Sequence, residues 1–112
     1  MDIKSISLWV CILIFVLPSL FFGFQKVIQN KEISDNFKRW GYPKIFMILL
    51  GSIEIATAIG LFFTQTRQIC IYIYGLILLG AIFTHLKAKE TKELIAPICV
   101  LGLLIAIHFL NI

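Results

Sequence analysis

The chain has 112 residues, 60% of them hydrophobic and only 14% charged. A soluble domain of that length has too much surface to hide such an apolar fraction, which excludes an ordinary water-soluble enzyme or binding module. The formal net charge is +4, but the charges fall between apolar blocks, so no nucleic-acid partner is expected.

Four apolar blocks follow one another at 6–24, 45–63, 69–86 and 94–112. Each is close to the roughly 20 helical residues that cross a bilayer. The expected fold is all-α: an integral membrane bundle of four transmembrane helices in a single domain, 1–112. The first block is read as a retained helix, because no small-x-small cleavage site follows it, only Leu20-Phe21-Phe22-Gly23-Phe24. Pro18 lies well inside this block and is expected to kink the helix.

The longest connection, 25–44, holds Ile33, Phe37 and Trp40 at helical spacing, with Glu32, Asp35, Lys38 and Arg39 elsewhere on the wheel. This pattern predicts a short amphipathic helix at about 34–40, lying in the membrane interface, with Ser34 as N-cap and Gly41 just past its end. It is either simple interfacial packing or a lid over a cavity between the helices. Pro43 then opens the second block, where its missing N–H does no harm.

The second block carries one charge, Glu54, at its midpoint. A carboxylate there is costly, about 2.5–3.5 kcal/mol on insertion scales. It is therefore protonated, paired, or facing a polar cavity, and it is the first candidate for a ligand or proton site. Met47, Gly51 and Ala58 share its helix face. On the other side, Ser52, Ala56 and Gly60 form a small-residue ridge suited to close helix packing. Candidate polar partners are Gln25 and Lys26 at the end of the first block, and Tyr74, Thr84 and His85 on the third. A His85–carboxylate pair could relay protons. Depth speaks against a direct bond, Glu54 being roughly 15 Å below the basic border and His85 only about 3 Å, unless the third helix runs on to about Lys92 or a water or ligand bridges the gap. His108, near the far end of the fourth block, is expected to be interfacial.

Lys26, Lys31, Lys38, Arg39, Lys44, Lys87, Lys89 and Lys92 fall on one side of a four-span topology, and only Lys4 and Arg67 on the other. The positive-inside rule places the basic segments in the cytoplasm, with both termini and a short 64–68 turn outside, in a multi-pass cell-membrane protein. Cys11, Cys70 and Cys99 form no C-x-x-C pair and are read as small core residues, a Cys11–Cys70 bridge being the alternative. No metal-ligand spacing, phosphate loop or catalytic set is present, so no catalytic residue is assigned and no intrinsic cofactor is expected.

Several short motifs carry a family resemblance. Phe22-Gly23-Phe24-Gln25-Lys26 closes the first helix, Gly41-Tyr42-Pro43 precedes the second, Gly51-Ser52-Ile53-Glu54 is followed by Gly60-Leu61, and Thr84-His85 ends the third. In this order the motifs resemble the DoxX-like family of small four-helix membrane proteins, from about Phe21 to Leu86. The resemblance implies association with quinone-linked oxidation of sulfur compounds, with membrane redox-defence complexes, or with receptor-assembly chaperoning. It singles out Lys26, Gly41, Pro43, Gly51, Glu54 and His85 as matching positions. The expected function is a membrane-embedded subunit that binds a lipid-soluble ligand, a quinone, around Glu54 in a redox-linked complex. Whether the chain takes part in catalysis stays open; an enzymatic role would be that of a subunit of a quinone-linked oxidoreductase rather than of an enzyme by itself. The alternative is a non-enzymatic assembly factor or chaperone acting through helix–helix contacts. Expected partners are the lipid bilayer, the lipid-soluble small molecule, a redox protein, and a second copy of the chain as a homo-oligomer.

Overall fold

In the computed structural model, residues 2–111 are described and form five α-helices: α1 (Ile3–Val27), α2 (Lys31–Trp40), α3 (Lys44–Gly60), α4 (Thr64–Lys87) and α5 (Ile95–Leu110). A 3-10 turn, Thr91–Leu94, leads into α5, and there is no strand among the described residues. The four long helices run alternately up and down. α1 packs on α3, α3 on α4, α4 on α5 and α5 back on α1, which closes a ring. α1, α4 and the Thr91–Leu110 segment are each long and apolar enough to cross a membrane. α3 has 17 residues and is about 26 Å long, slightly short of a bilayer core.

Helix ends at the basic side share one device. α1, α2 and α4 each stop at a left-handed residue, Gln29 (φ 62°), Gly41 (φ 85°) and Lys89 (φ 60°). In each case the next amide bonds back to a carbonyl five residues earlier: Asn30 to Gln25, Tyr42 to Phe37 and Glu90 to His85. This closure satisfies carbonyls that the helix end would otherwise orphan. Gly41 adopts its conformation freely, whereas Gln29 and Lys89 do so against the preference of a Cβ-bearing residue. Between α2 and α3 the chain axis turns by 118°.

Several boundaries differ from the sequence reading. α2 begins at Lys31, and Asn30 is its cap, accepting from the amides of Glu32 (3.0 Å) and Ile33 (3.5 Å). Ser34 sits inside the first turn and donates to the Gln29 carbonyl. The expected outer turn at 64–68 is already helix. The Thr66 and Arg67 amides bond to the Phe63 carbonyl, so the reversal is completed within Leu61–Phe63. α1 passes through Pro18 without a break in its assigned helix. Ile112, the expected end of the fourth span, and Met1 lie outside the described residues.

The interior is uneven along the bundle. At the end away from the basic segments, Ile12, Phe15 and Val16 of α1 meet Leu61, Leu78 of α4, and Leu104 and Ile107 of α5 in a close-packed core. At the basic end the same helices line a partly open cavity of about 910 Å³. Phe15 and Tyr74, edge to face at 4.7 Å, line the cavity and also belong to the core.

Candidate functional site

The cavity is lined by all five helices, and its walls are mostly apolar side chains of α1, α4 and α5. α2 turns Ile33, Asn36, Phe37 and Trp40 toward it, the inward stripe expected of an amphipathic helix. Lys26, Glu54 and Tyr74 are among the polar residues on its lining. Lys26 Nζ is 2.9 Å from Glu54 Oε2, and their side chains are only 16% and 7% exposed. The Ser19 hydroxyl, also on the cavity lining, donates to the Phe15 carbonyl at 2.7 Å.

The ion pair exists because two helices approach very closely. Gly51 on α3 faces Gly23 on α1. A Cβ on Gly51 would stand 2.7 Å from the Gly23 carbonyl oxygen and 2.7 Å from Lys26 Cβ. A Cβ on Gly23 would stand 3.1 Å from the Gly51 carbonyl oxygen. Real Cβ contacts of this kind essentially never fall below 3.0 Å. The paired glycines therefore bring the α1 and α3 backbones together and set Lys26 directly beside the Glu54 face. In an apolar surrounding this charge neutralisation makes the carboxylate tolerable.

His85 is placed elsewhere. Its Nδ1 is 3.2 Å from Glu90 Oε1, and its ring stacks edge-on against Trp40 at 5.2 Å. Glu90 also accepts from Trp40 Nε1 at 2.9 Å and pairs with Arg39. Beside it, the Tyr42 and Thr84 hydroxyls bond at 2.8 Å. These contacts fasten the α2 C-terminus to the end of α4. The α2 N-terminus is tied to α1 through Asn30 Nδ2 and Gln25 Oε1 at 2.7 Å. Gln25 and His85 thus hold the helix that closes the basic end of the cavity, while both also line it.

Trp40, Arg39 and His85 together hold the Glu90 carboxyl below the usual carboxylate range, the indole hydrogen bond contributing most. Because this carboxyl is more acidic when folded, its stabilisation is full above the ordinary carboxylate range. It is lost as pH falls through the lowered folded value. Protection factors of the α2 amides, with the intrinsic pH dependence of exchange removed, are expected to fall over that acid window in the wild type. In Glu90→Gln they should be low throughout and lack that pH step. An identical profile in both proteins would show that Glu90 does not hold α2.

Ser52 and Ala56 are exposed on the outer face of α3 and do not pack within the bundle. Gly60, the third residue of that ridge, approaches Cys70 of α4 so closely that a Cβ there would collide with Cys70 Sγ. Cys11, Cys70 and Cys99 are all free thiols. No cluster of potential metal ligands occurs among the described residues.

Two charged residues that the sequence does not single out tie helix ends together. Glu90 is one. Arg67 is the other, only 4% exposed at the far end. Its Nε donates to the Leu61 carbonyl (2.7 Å), its Nη1 to Asn111 Oδ1 (3.0 Å), and its guanidinium lies 5.2 Å from the Trp9 ring. His108 joins this network through Gln68 at 2.7 Å.

The fold and the site define a small helical protein with apolar helices, packed at one end and hollow at the other over a buried ion pair. The chain belongs to the DoxX-like family, whose model matches residues 10–107. Neither a curated protein nor a solved structure matches it. Family and apolar helices together support a membrane protein with transmembrane helices.

Proposed function

We propose that the protein is a multi-pass membrane subunit that binds a lipid-soluble ligand of quinone type in the cavity above Lys26 and Glu54. The observation that carries this reading is the cavity itself: about 910 Å³, mostly apolar along its walls, with the Lys26–Glu54 ion pair on its lining. That combination is what small-molecule sites present: apolar surface for affinity and a few polar groups for orientation. In this reading all four long helices cross the bilayer, with the basic end in the cytoplasm and α2 in the interface. Because Glu54 is paired with Lys26, the donor to a ligand carbonyl is the Lys26 ammonium, which keeps two further N–H groups. Electron transfer is supplied by a partner that carries the redox centre.

The two tryptophans make the test. Trp40 lines the cavity, and Trp9 lies at the far end against Arg67. In Trp9→Phe, leaving Trp40 as sole reporter, a short-chain quinone is expected to quench fluorescence saturably. In Trp40→Phe the remaining Trp9 should show only weak, linear quenching from quinone dissolved in the lipid. Gly80→Leu, which grows a side chain into open space at the cavity wall, should weaken the saturable phase at least about tenfold, the equivalent of 1.4 kcal/mol. Linear quenching of both reporters would sink the proposal.

A further inference from the structure

Glu54 gives one carboxylate oxygen to Lys26 and keeps the other. Oε2 takes the Lys26 ammonium at 2.9 Å, while Oε1 has no hydrogen-bond partner among the described residues. Nor is Oε1 sealed away: among the described residues no fully buried side-chain oxygen or nitrogen lacks a partner. An unpartnered Oε1 therefore reaches open space, and the space that Glu54 lines is the cavity.

An ionised carboxylate accepts hydrogen bonds and cannot donate them. The inner end of the cavity thus offers one charged acceptor, Oε1, immediately beside the donors of Lys26. A ligand whose polar atoms are all acceptors satisfies Lys26 and leaves Oε1 dry against it. Desolvating a charged acceptor without pairing it is expensive. A ligand with a hydroxyl satisfies both groups, since a hydroxyl oxygen donates through its proton and accepts through its lone pairs.

We propose that the cavity selects lipid-soluble ligands carrying a hydroxyl, which donates to Glu54 Oε1 and accepts from Lys26 Nζ, over ligands of the same shape with acceptor oxygens only. Within a quinone-type class, that is the reduced, hydroquinone form over the oxidised one. The selectivity rests on the cavity reading above and names the state of the ligand that it holds.

Three probes with one decyl chain test it: a benzoquinone, its hydroquinone and the hydroquinone dimethyl ether, titrated anaerobically by calorimetry into protein in nanodiscs. The hydroquinone is expected to bind at least about tenfold tighter than either of the others, the scale of one charge-assisted hydrogen bond. Glu54→Gln, whose amide both donates and accepts, should bring the three to within about threefold of one another. If that variant fails to fold, the wild-type series alone decides. Equal or tighter binding of the quinone or the ether overturns the selectivity and leaves the cavity reading standing. Binding of none of the three overturns both.

Discussion

Replacing Lys26 by methionine is expected to lower stability by about 3–5 kcal/mol, the usual consequence of leaving a buried charge without its partner. The substitution keeps most of the side-chain volume, so packing against Gly51 changes little. What is lost is the ammonium 2.9 Å from Glu54 Oε2, in a place where the carboxylate is only 7% exposed. Glu54→Gln alone should be similarly harmful, because the ammonium is then stranded. The double variant removes both charges and is expected to cost no more than either single substitution, which makes the coupling energy at least about 3 kcal/mol. Reversible unfolding in mixed detergent, followed by tryptophan fluorescence, gives the four free energies of the cycle. Additive losses would show that the two side chains do not stabilise each other.

Gly51→Ala carries the second large effect. One added methyl would lie 2.7 Å from the Gly23 carbonyl, which is backbone and cannot rotate away. α1 and α3 must separate, at a cost of about 2–3 kcal/mol for overpacking. The separation also draws Lys26 from Glu54, so loss of ligand binding should accompany the loss of stability. Gly102→Ala is the matched control. A Cβ at Gly102 meets nothing within 4 Å, and stability should be unchanged. If both glycine variants behave alike, the close α1–α3 crossing is not what holds the site.

Much of α3 was legible because periodicity survives folding. The face containing Met47, Gly51, Glu54 and Ala58 follows from 100° steps, and in the structure all four are buried. Lys26 could be named as a counter-charge from its place at the end of the first block. The Gly23–Gly51 crossing that brings it to Glu54 could not be, since no single helix reveals its neighbour's register. Depth arithmetic already separated Glu54 from His85, and α4 indeed ends at Lys87, leaving His85 beside Glu90. Glu90 itself gave no signal, because a carboxylate in a basic, polar connection reads as solvated. Only the three-dimensional meeting of Arg39, Trp40 and His85 makes it a hub. Arg67 was obscured for a different reason. The sequence pattern assigns it to an outer turn, whereas the turn is complete before it and the residue is buried in the first turn of α4. The small-residue ridge misled in part: Ser52 and Ala56 have the spacing for close packing, yet the tight approaches use Gly51 and Gly60.

The unequal filling of the bundle bears on traffic across the membrane. Ile12, Val16, Leu61 and Ile107 are fully buried and plug the half that Arg67 ties together. The hollow beside Lys26 is therefore closed toward the Arg67 end. A chamber of this form can hold and orient a ligand beside the ion pair, and as a single copy it offers no straight passage along the bundle axis.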